Sequence, residues 1–248
     1  MRGLYFDCAA FFDINMIYSK KFLKFIEIWQ EDFAIARSMD EKVCVDKKGN
    51  PLPWYTYPAI EYLSQFDYHD KTVFEFGCGY SSLFWADRAK KVVSVEDNAD
   101  WLQKWQNEFC RANLSLLFRT EGEAYYQSIL EDSTQYDVIV IDGKNREKCA
   151  LSAIKALKKG GMIILDDSDR VNTSKEYYQA IQALKSANLL QIDFYGFCPL
   201  DNYPKTTSLF LSRDFNFETT APIQPINGIG NLWGMGRKRR KEFYNSNK

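Results

Sequence analysis

The sequence holds a single histidine, His69, and its six cysteines (Cys8, Cys44, Cys78, Cys110, Cys149 and Cys198) form no C-x-x-C pair. Cysteines so scattered support neither a thiolate metal site nor a disulfide framework. No Ser-His-Asp or Cys-His arrangement can be built around His69, which reads as a surface residue. Long apolar runs are missing too, and no window approaches the length of a membrane span. The opening "MRGLYFDCAAFFDINM" is interrupted by Asp7 and Asp13, so it lacks the unbroken apolar core of a signal peptide. A reducing, cytoplasmic setting is expected. Charge of one sign is also lacking: 32 Lys and Arg stand against 33 Asp and Glu. Nothing in that balance marks nucleic acid as an obligatory partner.

What is present is a core. The 248 residues are 46% hydrophobic and 26% charged, enough for one large α/β domain or two small ones. Over 18–37, Phe22, Phe25, Ile26, Trp29 and Phe33 recur at helical spacing, which predicts one amphipathic helix. Residues 40–57 carry Gly49, Pro51 and Pro53 and should be irregular, and Pro58 opens another helix.

From residue 72 strand-like and helix-like runs alternate: "TVFEF", "KVVSVE", "LSLLFRT", "YDVIVID" and "GMIILD" are strands, each followed by a helical pattern. That alternation predicts parallel βαβ crossovers, with helices on both faces of the sheet. "LLQIDFYGF" and "TTSLFLSRD" follow with only the turn-rich "CPLDNYPK" between them, so they should pair antiparallel. The expected architecture is a doubly wound, mostly parallel seven-stranded sheet with an antiparallel terminal hairpin. The expected divisions are a helical extension and aromatic loop (1–57), a ligand-binding domain (58–215) and a tail (216–248). The tail's basic cluster "RKRRK" reads as a solvated end.

Chemistry concentrates in the first turn, "EFGCGYSS". Gly77 and Gly79 let the chain turn sharply and a ligand approach closely. Nineteen residues after Gly77, Glu96 ends the second strand, where a carboxylate can accept both hydroxyls of a ribose. A dinucleotide fingerprint would put a third glycine at 82, which is Ser82. Glu75 would also repel a pyrophosphate. A nucleoside carrying an ammonium and a sulfonium reverses that sign, and S-adenosylmethionine is such a ligand.

Together "VFEFGCGYSSLFWA", "VVSVEDN", "EGEA", "YDVIVIDG" and "LKKGGMIILDD" resemble the motif series of the class I S-adenosylmethionine-dependent methyltransferases, over roughly residues 55–212. The resemblance implies that Glu75, Gly77 and Gly79 border the methionine part of the cofactor. Ser81 stands where the family often has a third glycine. Glu96 would hold the ribose, Asp97 and Asn98 would lie beside the adenine, and Glu123 would meet its amino group.

Asp142 ends the fourth strand at the edge of the cleft, and Asp166 and Asp167 end the fifth. Three such carboxylates can bind a hard cation such as Mg²⁺, in a set resembling the Asp–Asp–Asn of catechol and caffeoyl-CoA O-methyltransferases. The plainer and preferred reading is that Asp142 lines the cleft and Asp166–Asp169 cap a helix. Lys144 and Arg146 can meet an anionic acceptor, and Lys144 can act as a base if burial lowers its pKa; both can equally be exposed charges opening a helix. Trp54, Tyr55 and Tyr57 either line the cofactor mouth or pack N-terminal helices onto the sheet, the latter preferred. The leading expectation is O-methylation of a small or medium-sized acceptor. N-methylation, a non-catalytic cofactor-binding module and, least favoured, a nicotinamide dehydrogenase are the rivals. Oligomeric state and acceptor identity leave no sequence signal.

Overall fold

A computed structural model describes residues 19–105, 107–231, 233 and 241. The opening stretch 1–16 and, apart from Lys241, the basic cluster lie outside the described residues. The chain divides into two compact units: Ala34–Ile226, and a smaller one drawn from residues before 34 and after 226.

In the smaller unit, α1 (Lys20–Glu27) is capped by Ser19, whose Oγ accepts from the Phe22 N–H. It runs into a wider helical turn over Ile28–Asp32. Phe22, Phe25, Trp29 and Phe33 follow one another as ring pairs, 4.8–6.1 Å between centroids. The single helix expected over 18–37 is interrupted. Ala34 adopts a left-handed conformation (φ 52°) and α2 (Ile35–Glu41) starts afresh in the larger unit. No glycine or proline marks that break, so apolar periodicity runs straight through it.

The larger unit reaches beyond 58 and 215 at both ends. The Thr56 N–H donates to Thr207 Oγ1 at 3.0 Å, the Tyr57 N–H donates to the Phe197 carbonyl at 2.8 Å, and Phe66 bridges to Thr219. After α3 (Tyr57–Leu63), strands and helices alternate as β1 (Thr72–Phe76), α4 (Tyr80–Ala86), β2 (Lys91–Glu96), α5 (Ala99–Trp105) and β3 (Leu114–Phe118). Then come α6 (Glu123–Tyr126), β4 (Tyr136–Ile141), α7 (Arg146–Ala156), β5 (Leu157–Leu165) and α8 (Lys175–Ser186). β6 (Leu190–Gly196) and β7 (Lys205–Leu211) close the series. The sheet order is β3-β2-β1-β4-β5-β7-β6. β1 to β5 pair in parallel, and β7 lies antiparallel between β5 and β6. The expected seven strands and terminal hairpin are there. No helix among the described residues is long and apolar enough to cross a membrane.

Side chains alternate across a strand, and the sheet uses its two faces differently. Phe74, Phe76, Val93, Val95, Ile139, Ile141, Ile163 and Leu165 share one buried core with residues of α7 and α8. The intervening positions, including Glu75, Ser94 and Glu96, therefore fall on the opposite face. Strand order reverses between β1 and β4, so a crevice opens beyond the carboxyl ends of those strands.

Candidate functional site

That crevice is a cavity of about 910 Å³, within the range of small-molecule sites. Its walls include Glu75, Gly77, Gly79, Ser81, Glu96, Asp97, Asn98, Asp142, Lys144, Arg146, Asp166 and Asp167. Of the residues assigned from the sequence to cofactor, catalysis or metal, Glu123 alone is left outside. It opens the short α6, is exposed, and accepts from Gln127 Nε2 at 2.5 Å.

Glu75 sits inside β1 rather than at its tip. It lies in register with Ser94 of β2, so that serine's Oγ donates to Glu75 Oε2 at 2.8 Å; the Ser82 hydroxyl of α4 donates to the same oxygen. The other oxygen, Oε1, is buried with no aligned donor. Burial pushes the carboxyl up to about 7 against the pull of Ser81, Ser82 and Ser94. A buried carboxylate oxygen on a cavity wall with no donor is costly unless a ligand supplies one.

Gly77 turns the chain at φ +101°, and a Cβ there would stand 3.0 Å from the Asp142 carbonyl. Glycine is required on both counts. Glu96 is buried at the end of β2. Its Oε2 accepts from the Cys78 N–H at 3.1 Å, and its Oε1 accepts from the Asp97 and Asn98 N–H groups at 3.0 and 2.9 Å. One carboxylate therefore ties the glycine turn to the loop after β2. Burial raises its pKa, opposed by the Asn98 and Cys78 N–H groups.

At the other end, Arg146 is buried at the start of α7. Its guanidinium donates to the carbonyls of Ile141 and Asp166, and to Asp142 Oδ1 at 3.1 Å. It clamps the ends of β4 and β5 and aims Asp142. Burial pushes the Asp142 carboxyl above its ordinary value, against the pull of Arg146 and Lys205. Lys144 does not meet the condition for a base. It is exposed and paired with Asp97 Oδ2 (3.1 Å) and Glu121 Oε2 (3.2 Å), which raise its pKa rather than lower it.

The three aspartates do not form the suggested magnesium site. Lys205 Nζ lies 2.6 Å from Asp166 Oδ2 and 3.0 Å from Asp167 Oδ1, and Thr207 donates to Asp166 Oδ1 at 2.6 Å. Arg170 takes Asp167 Oδ2 at 2.9 Å. These oxygens are already neutralised by the protein's own donors, so the set does not fit a divalent ion. Among the described residues no group of acidic, cysteine and histidine side chains has the geometry to hold a metal. Asp167 stands at the N-cap position of the short helical turn Ser168–Asn172, as the plainer reading had it, but makes no side-chain cap bond; its carboxylate and that of Asp166 anchor a lysine.

The fold is a seven-stranded, Rossmann-like one. A putative O-methyltransferase from Klebsiella pneumoniae overlays with a TM-score of 0.51 at 17% identity, over 79% of this chain and 98% of that one. The precorrin-6y C5,15-methyltransferase of Geobacter metallireducens gives 0.48 at 15%, over 70% and 96%. Spermidine synthase from Thermotoga maritima also gives 0.48, at 14%, over 66% of this chain and 60% of that one. No protein-family model and no curated protein sequence matches the chain.

Set on this fold, the aromatic segment divides. Tyr55 and Tyr57 are buried packing residues, whereas Trp54 is 42% exposed and stands on the cavity wall, its Nε1 donating to Asp201 at 3.1 Å. His69 is exposed and pairs with Asp67. Sequence reasoning missed Trp101, a cavity-wall indole whose Nε1 donates to the Cys78 carbonyl at 2.8 Å. It also missed Asp201, Tyr203 and Lys205, which the β6–β7 connection brings into the wall. A lysine at the head of an apolar strand, "KTTSLFL", was the available signal for the last.

Proposed function

We propose that this protein is an S-adenosylmethionine-dependent methyltransferase that transfers the methyl group to an oxygen of a small or medium-sized acceptor. The observation that carries this reading is the buried Glu75 Oε1, which has no aligned donor, on the wall of a switch-point cavity. A cationic nucleoside satisfies that oxygen; a pyrophosphate opposes it. Glu75, Gly77, Gly79 and Ser81 would take the methionine part and Glu96 the ribose. Asp97, Asn98 and the Trp101 indole would flank the base. The cofactor supplies an electrophilic methyl group. The chain's own residues align the acceptor and hold its proton, with Asp142, aimed by Arg146, as acceptor of that proton.

Oxygen is favoured over nitrogen because the acidic cluster has no free charge with which to bind an amine. Asp142 is paired with Arg146, Asp166 with Lys205, and Asp167 with Lys205 and Arg170. A panel of hydroxyl and amine acceptors, assayed by transfer of radiolabelled methyl with and without EDTA, tests both points. Turnover is expected with hydroxyl acceptors and unchanged by EDTA. Turnover with amines alone, or loss on chelation that Mg²⁺ restores, contradicts the reading.

A further inference from the structure

The magnesium-like position is filled by a side chain, and that side chain opens onto the cavity. An ammonium has three N–H donors. The one on Lys205 donates to Asp166 Oδ2 at 2.6 Å and forms an ion pair with Asp167 Oδ1 at 3.0 Å. Lys205 and Trp54 both line the cavity, and the ammonium stands 5.5 Å from the centre of the Trp54 ring. Asp201 holds that indole in place through its Nε1. Leu200 and Tyr203 complete this end of the cavity. A fixed cation thus stands beside an indole on the cavity wall.

We propose that Lys205 is the built-in cation of the acceptor site: an N–H not given to Asp166 binds the acceptor's nucleophilic oxygen, while the acceptor's flat body rests on Trp54. The inference rests on the methyltransferase reading. In the transfer step the acceptor O–H bond breaks and its proton passes to Asp142. The oxygen's electron pair forms the bond to the methyl carbon, and the carbon–sulfur pair stays on sulfur, leaving a neutral thioether. The Lys205 ammonium offsets the charge that grows on oxygen before the new bond is complete, the work a divalent ion would otherwise do. A phenol is the acceptor class this geometry suits best, with a ring for the indole and an acidic hydroxyl for the ammonium.

The probe is 4-nitrophenol, titrated by absorbance in the presence of saturating S-adenosylhomocysteine. Wild-type protein and Lys205→Arg are expected to bind it and to lower its apparent pKa by about one unit, a tenfold shift toward phenolate. Lys205→Met is expected to abolish the shift. Because that change strands Asp166, the paired variant Lys205→Met/Asp166→Asn removes both charges together and should behave the same way. Calorimetry with S-adenosylhomocysteine on each variant separates the two levels of the argument. If the wild type does not bind S-adenosylhomocysteine, the methyltransferase reading falls, and the role of Lys205 with it. If all variants bind S-adenosylhomocysteine alike, but the wild type either fails to bind the phenol or shifts it no more than the methionine variants do, the role of Lys205 alone is overturned.

Discussion

Asp142→Asn should lower the rate of methyl transfer by about 10²–10⁴-fold, the usual contribution of a positioned general base, while leaving S-adenosylhomocysteine affinity within about threefold of wild type. The substitution suits the question because Asn keeps the oxygen that accepts from Arg146 at 3.1 Å, so the clamp across β4 and β5 is preserved. What is lost is a carboxylate able to take a proton. Burial raises the Asp142 pKa, and a base must be ionised to work. With S-adenosylmethionine saturating at every pH, wild-type turnover should therefore fall as the pH drops through that raised value, and the variant should show no such limb. A variant within fivefold of wild type, or one retaining the acid limb, would place the base elsewhere. Lys144 is a poor substitute, since Asp97 and Glu121 hold it protonated.

Glu96→Ala should weaken S-adenosylhomocysteine binding by about 10–150-fold, from hydrogen bonds to a charged group worth about 1.5–3 kcal/mol. Two losses add here. The ribose would lose its acceptor, and the N–H groups of Cys78, Asp97 and Asn98 would lose the carboxylate that aligns the two loops. Glu96→Gln should be nearly as harmful. Its amide can offer an oxygen to one loop only and turns an N–H₂ toward donors of the other. Calorimetry reads the affinity, and a thermal melt shows whether the loops fail alone or the fold fails with them. Near-normal binding by both variants would remove Glu96 from the site.

The sheet was legible in the sequence because its signal is local. Continuous apolar runs such as "YDVIVID" mark strands buried on both faces, and two such runs without a helix between them must pair antiparallel. The turn that brings Glu75, Gly77, Gly79 and Glu96 onto one cavity wall was nearly as plain, since they sit at fixed offsets from strand ends. Where legibility stopped, the contact was long-range. Lys205 meets Asp166 across 39 residues of sequence, so the acid cluster looked like an unpaired cation site. The helix break at Ala34 carries no glycine or proline to announce it. Glu123 was placed by motif resemblance alone, although the i,i+4 spacing to Gln127, which takes its carboxylate, was a local signal.

The central claim is that the cavity is built for a cationic nucleoside, and calorimetric titration with S-adenosylmethionine at pH 6.0 and pH 7.2, beside NADH, tests it most directly. A cation binds the ionised form of Glu75, whose pKa is raised to about 7. Affinity should therefore rise by about sixfold between the two pH values, both below the usual range of the ligand's α-amino group, and NADH should show no comparable binding. NADH matching S-adenosylmethionine, or S-adenosylmethionine failing to bind at either pH, would contradict the account.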